Sequence, residues 1–441
     1  MRIKSKRLMV AAFAVALAAP VSALATNGYF VIGFGAGSVG MGGVGVTSPQ
    51  DALCVGGNPA CLGEFTTPQF SMGVGLFNPP RRAGTTVMAG SNGEYERSDV
   101  NLYAIPGMGF VFPFNDNLSL GFAALGNGGA GTTFKPNFFG GGRDYLGVDL
   151  VQLIVPITVA YKINPTNTFG FSVVPARQRF LAQGLENFAI PAFSSDPSSV
   201  TGKGHDYANG MGVRGGWTGH YFGNKVTLGA TYASKVFMHK LTNYRGLFAG
   251  EGSFDIPANY AIGIGIKPTE NLTVALDIQK ILYSDVPSVG NRGPDPSGNL
   301  PNAAKGTLLG SPGGSGFGWK DQTVYKLGVA YSNAFPTIFG ENRLTLRTGF
   351  NYGKTPIQQD QLLFNLLAPA TTEKHVTMGF TYSLGDQSIL GFGSEGLLTM
   401  AFTRAYEKKM EGPVVGTGGE RGIAGFAMYQ NVLDIAYTLK F

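Results

Sequence analysis

Charge is scarce in this chain. Only 14% of its 441 residues are Asp, Glu, Lys or Arg, against a usual ~25%. Together with the abundance of glycine described below, this argues against a coiled coil or an ordinary helical protein. Cysteine is nearly absent, with two residues, and there are four histidines. No second cysteine pair and no histidine cluster supports a zinc site. His205, His220, His239 and His375 make no HExxH or i,i+4 pair. Beyond the first 25 residues there is no run of about 20 apolar residues, so no helix of the rest can span a membrane.

What is abundant is glycine (67), phenylalanine (32) and tyrosine (18), within 44% hydrophobic residues. That much apolar surface argues against disorder. The start is distinctive. Arg2, Lys4, Lys6 and Arg7 precede an apolar run from Leu8 to Ala19, and Ala23-Leu24-Ala25 offers a small-residue cleavage site. Residues 1–25 read as a secretory signal peptide. Its loss removes four basic and no acidic residues and lowers the net charge from +6 to +2. No basic stripe is left to suggest nucleic acid. In an oxidising compartment Cys54 and Cys61 either pair, closing a small loop, or remain free thiols.

The rest repeats one theme, about ten residues of alternating apolar and small or polar character followed by a turn. Val151, Leu153, Val155, Ile157, Val159 and Tyr161 show it. So do Leu272, Val274, Leu276 and Ile278, interleaved with Thr273, Ala275, Asp277 and Gln279. Period two means strands with two unlike faces. A soluble sandwich also alternates, but three features favour a membrane barrel. Short turns (115–117, 164–167, 268–271) alternate with long loops (78–99, 287–321, 408–425). The second face is small and polar, which suits a lumen rather than a sandwich core. The last segment alternates through Leu433, Ile435, Tyr437 and Leu439 to a terminal Phe441, as in strands recognised by outer-membrane assembly machinery. Fourteen strands are predicted, at 69–77, 100–114, 118–134, 148–163, 168–186, 206–222, 225–245, 253–267, 271–286, 322–333, 342–353, 374–384, 396–407 and 428–441. An even number closes the barrel with every backbone group paired. The expected fold is all-β, a 14-stranded antiparallel transmembrane barrel over residues 69–441.

Residues 26–68 do not alternate. They are rich in glycine from Gly33 to Gly45 and contain Asn58-Pro59-Ala60. Fourteen strands enclose a space wide enough for water, and a piece of this size can plug it.

Asn27-Gly28-Tyr29-Phe30, Gly40-Met41-Gly42-Gly43-Val44-Gly45-Val46, Gln50-Asp51 and Asn58-Pro59-Ala60 together resemble the N-terminal hatch of the FadL-type outer-membrane transport family. The stretches 267–286, 319–328 and 349–354 resemble it too, so the likeness covers essentially everything after the signal. The resemblance implies a hatch at 26–68 carrying Gly42, Gly43, Asn58, Pro59 and Ala60. It implies passive uptake of long-chain fatty acids or, in some members, aromatic hydrocarbons, by a monomer in the outer membrane without cofactor. Ligand passes from the outer loops to a lumen pocket and leaves sideways at a kink in the third strand. Gly126, Asn127, Gly128 and Gly129 stand where that kink belongs, and glycine inside a strand marks a bend or close approach.

A fatty acid needs a cation for its head and an apolar pocket for its tail. Lys326 and Arg347, on neighbouring strands with inward alternation, are the candidate cations. Either they converge on a carboxylate or they pair with Asp277 and line a polar lumen. Arg177 matches a family stretch with an arginine near the head group, but points inward only if Pro175 makes a bulge. Loop 187–205 brings Phe188, Ile190 and Phe193 as candidate apolar contacts. Two nucleotide-like motifs fail. Gly35-Ala36-Gly37-Ser38-Val39-Gly40 fits GxGxxG but runs into a glycine-rich stretch rather than a helix. Gly353-Lys354-Thr355 lacks the first glycine of a P-loop at its spacing. No catalytic residue and no metal ligand is assigned. A general porin shares the strands but needs neither plug nor kink.

Overall fold

The computed structural model describes residues 26–389 and 392–441; the signal segment 1–25 lies outside them. Fourteen antiparallel strands form the wall. They are β1 (Gln69–Asn78), β2 (Tyr103–Pro113), β3 (Leu118–Phe134), β4 (Leu146–Ile154, continued by Ile157–Lys162), β5 (Asn167–Gln183), β6 (Asp206–Tyr221) and β7 (Val226–Ala233). Then follow β8 (Asn259–Ile266), β9 (Leu272–Ile281), β10 (Gln322–Tyr331), β11 (Leu344–Gly353), β12 (Lys374–Ile389), β13 (Phe392–Val415) and β14 (Arg421–Lys440). Each pairs with the next. The circle closes where β14 meets β1, from Lys440↔Gln69 to Asn431↔Asn78. Closure leaves no open edge in lipid.

Alternation produces the two faces. Along β10, Tyr325, Leu327 and Tyr331 are exposed while Val324, Lys326, Gly328 and Ala330 are buried. Small inner residues leave room in the lumen, and the N-terminal segment occupies it. Helix α1 (Ala36–Gly40) lies against β12 and β13, and two 3₁₀ turns, Ala52–Gly56 and Pro59–Glu64, pack on β2–β6. Among the described residues no helix is long and apolar enough to cross a membrane.

The wall departs from expectation in three places. Instead of a long loop over 408–425, β13 and β14 extend as a hairpin, and the upper part of β14 pairs with the short strand Arg81–Thr85. β7 stops at Ala233, and a two-residue strand, Phe237–Met238, resumes pairing with β6. β4 is interrupted at Val155-Pro156, where proline has no N–H to give the ladder.

Candidate functional site

The wall and the N-terminal segment meet through a set of buried polar side chains. Asp277 on β9 accepts the backbone N–H of Gly45 at 2.8 Å and of Val46 at 3.0 Å on one carboxylate oxygen. Lys326, opposite it on β10, donates from Nζ to the carbonyls of Ile32 (2.8 Å) and Gly43 (3.2 Å). Arg214 on β6 donates to the carbonyls of Gly56 and Gly57. Arg347 on β11 donates to Gln50 Oε1 (2.9 Å) and Thr381 Oγ1 (2.7 Å). Thus Lys326 and Arg347 do not converge on a shared site; each grips a different part of the segment. Lys326 and Arg214 are taken up by carbonyls of the segment, because a backbone with neither helix nor sheet partners in a closed lumen must find them on the wall.

The segment is shaped to receive these groups. Gly43 has φ +84°, and a Cβ there would stand 2.0 Å from the Ile32 carbonyl oxygen. Only glycine fits such a left-handed, close-packed turn. Gly42 beside it donates to Thr377 Oγ1. Asn58 caps the second 3₁₀ turn by accepting from Ala60 N, with Pro59 at its first position, and its amide also donates to Val46 O and Trp217 O. Ala60 is fully buried. Cys54 and Cys61 form a disulfide joining the two turns. Asp51 accepts from Leu53 N at 2.9 Å. Burial raises its carboxyl to about 6, against the opposing pull of that N–H and of Arg347.

The third strand is irregular where glycines cluster. β2 and β3 pair only as far as Gly107↔Leu125. Beyond that β3 holds to β4, with Asn127 bulged between Gly126↔Leu153 and Gly128↔Gln152. Residues 103–106 of β2 therefore face an unpaired stretch of β3, a gap in the hydrogen-bond ladder of the wall. Tyr103 Oη sits 2.9 Å from Gly131 O at its upper end. Gly128 meets the segment directly. It pairs with Phe30, Gly129 N donates to Tyr29 O at 3.1 Å, and a Cβ on Gly128 would lie 2.4 Å from that oxygen.

Above the gap, at the end away from the short turns, lies a cavity of about 670 Å³ counting its open mouth. Its walls are almost entirely apolar, with Phe77, Leu150, Phe180, Phe248, Phe254 and Trp319 prominent and Tyr29 at its floor. Tyr29 packs on Tyr283 and Trp319 at 5.2 and 5.8 Å. One cation lines this cavity, Arg81. It is 6% exposed, donates to Val100 O (2.9 Å) and Tyr103 Oη (2.7 Å), and its Nε has no partner. A second apolar cavity shares Val148, Phe180, Phe248 and Phe317 with the first and reaches under the loops to Phe188 and Phe364.

Of the loop residues expected to touch ligand, Phe188 lines this second cavity, Phe193 packs on Phe188 at 5.9 Å, and Ile190 is 42% exposed and lines neither cavity. Arg177 points away from the lumen. Pro175 pairs in register with Met211, so no bulge reverses the alternation, and the guanidinium stacks outside on Tyr207 at 5.1 Å. Arg81 and the cluster around Tyr29 were not apparent beforehand. The clue for Arg81 was the Pro79-Pro80 pair before it, which breaks a strand without ending the wall.

A closed barrel whose own N-terminal residues fill its lumen, with a gap at one bulged strand, is the architecture of a plugged outer-membrane channel. The chain belongs to the outer membrane protein transport protein family (OMPP1/FadL/TodX), whose model matches residues 12–409. It is similar to the long-chain fatty acid transport protein of Escherichia coli K12, 26% identical over 219 residues, 48% of each chain. The chain thus spans about half the length of the curated relatives it matches first. A counterpart from E. coli O6:H1 is 22% identical over 375 residues, 78% of this chain and 80% of that one. Among solved structures, a Pseudomonas aeruginosa FadL homologue superposes with TM-score 0.67 at 15% identity, covering 93% of this chain and 99% of that one. The Pseudomonas putida toluene transporter TodX gives 0.66 at 19%, with the same coverage. These likenesses show the fold.

Proposed function

We propose that this chain is a passive outer-membrane carrier of long-chain fatty acids or hydrophobic molecules of similar shape. The observation that carries this reading is the aromatic cavity with a single buried arginine at its edge. Its joined apolar chambers suit a long tail. The Nε–H of Arg81 without a partner suits a carboxylate, since a buried donor left unsatisfied is costly. The ligand enters beneath loop residues such as Phe188, settles against Tyr29, and displaces it. The N-terminal segment from Tyr29 through α1 then shifts from the wall, Tyr29 and Phe30 release Gly128 and Gly129, and the ligand leaves through the gap between β2 and β3.

In this scheme residues 26–68 act as a hatch, and Lys326, Arg347, Arg214 and Asp277 hold it rather than the ligand. No bond is made or broken, no cofactor is used, and the protein works as a monomer among outer-membrane lipids, inserted through its Phe441 strand. A filled lumen argues against a general porin.

The test is displacement of a fluorescent fatty acid from the folded barrel in nanodiscs by oleate and by toluene. Oleate should compete, and Arg81→Gln should weaken it about 10- to 100-fold, the worth of one hydrogen bond to a charged group, with toluene unaffected. Competition by toluene alone would assign the cavity to aromatic hydrocarbons. Competition by neither would favour the porin.

A further inference from the structure

The exit gap opens onto a third cavity, and its chemistry differs from that of the entry pocket. It lies between the segment Val31–Ala36 and the wall formed by β1, β2, β3 and β14. It is lined at the gap by Ile105, Pro106, Leu125 and Gly126. Its lining holds one ionisable residue, Asp434. Asp434 sits on the lumen face of β14, paired across to Ala401 and Gly75. The absence of a side chain on Gly75 makes its room, since a Cβ there would stand 2.7 Å from Asp434 Oδ1. Oδ2 is buried with no hydrogen-bond partner, and no cation among the described residues pairs with this carboxyl. The groups facing it are Gly75 from β1, Ala401 from β13, Ile105 from β2, and Ile32, Ala36 and Val39 from the segment, none of them titratable. The next charges are Asp51, against Gly35, and Arg347, which stands in the same wall row as Asp434 with Gly379 and Ala401 between them and is bonded to Gln50 and Thr381.

A carboxyl with neither cation nor donor beside it does nothing for stability, because a buried unpaired polar group costs free energy. It does impose a condition on whatever shares the chamber. Two like charges about 6 Å apart at an effective dielectric near 20 repel by enough to disfavour co-occupancy about a hundredfold. We infer that Asp434 is the charge filter of the side exit, rejecting anions while it is ionised and passing neutral molecules at any pH. Fatty acids would then leave by this route as the neutral acid, or alongside a protonated Asp434. This rests on the proposed lateral route.

The probes are two amphiphiles of equal chain length, a dodecyl sulfonate, anionic at all working pH, and dodecanol, always neutral. Uptake is followed into liposomes carrying the intact barrel, from about pH 6 to about pH 9. Wild type should pass dodecanol at all pH and, at the alkaline end, should pass the sulfonate about a hundredfold less well than Asp434→Asn. Asp434→Asn should pass both at every pH. Equal sulfonate uptake by wild type and Asp434→Asn across the range would overturn the filter. Gly126→Trp, which plugs the gap, separates the two ideas. If it leaves dodecanol uptake unchanged the exit is elsewhere, and the filter falls with the route. If it stops dodecanol while Asp434→Asn does nothing, the route stands and the filter alone is wrong. Folding of each variant is checked by its β-sheet circular dichroism.

Discussion

Removing the Asp277 carboxylate should loosen the N-terminal segment selectively. Asp277 is 1% exposed, and one of its oxygens receives both the Gly45 and Val46 amides. A hydrogen bond to a charged group contributes about 1.5–3 kcal/mol net. Two that share an oxygen are not additive, so together they contribute about 3 kcal/mol. The same substitution leaves Lys326 buried without its opposite charge across the ladder, which adds to the effect. At about 1.4 kcal/mol per decade, Asp277→Ala should raise the opening equilibrium of this turn about a hundredfold. Hydrogen exchange of the barrel in nanodiscs reads this directly. Peptides covering 32–46 should exchange about a hundredfold faster while β9 and β10 keep their protection. Asp277→Asn keeps an acceptor and should show about a tenfold change. Unchanged exchange over 32–46 in a folded Asp277→Ala barrel would refute the view that wall charges hold the segment.

Two further outcomes follow from the same contacts. Asp51 is held near 6 by burial, above its ordinary 3.8. A carboxyl raised on docking favours the docked state fully below about pH 4 and loses that contribution as pH rises through about 6. Exchange at Leu53, corrected for intrinsic rate, should therefore quicken between about pH 4 and pH 7, and Asp51→Asn should abolish the dependence. Gly43→Ala places a Cβ 2.0 Å from the Ile32 carbonyl at φ +84°. It should undock Ile32–Val46 by more than the ~1–2 kcal/mol of left-handed strain alone, seen as protease cleavage within the segment where wild type is resistant.

Much of this architecture was legible in the amino-acid order. Strand faces are readable because the lipid and lumen sides demand different residues at alternate positions, as in β9 and β10. The glycine run in β3 marked its irregularity because few other residues tolerate a backbone as close as Tyr29 O is to Gly128. The placement of charge was less legible. Lys326 and Arg347 do point inward, but what they meet depends on how a glycine-rich segment without periodicity folds inside the lumen. Arg81 was hidden in the stretch 78–99, which reads as loop yet pairs with an extension of β14. Arg177 was legible by alternation alone, which already pointed it outward.

The account turns on one motion, release of the N-terminal segment from the wall, and a cross-link tests it. A Cβ on Gly40 would lie 3.6 Å from the Ala401 Cβ, within the ~3.5–4.5 Å of a disulfide. Gly40→Cys with Ala401→Cys should therefore fasten α1 to β13. Uptake of oleate into liposomes loaded with a fatty-acid-binding trap is measured for the oxidised and reduced double variant, with reduced wild type controlling for the Cys54–Cys61 bond. The account predicts that the oxidised form binds oleate with near wild-type affinity but scarcely transports it, and that reduction restores uptake. Oleate uptake at the wild-type rate through the oxidised, fully cross-linked barrel would contradict it.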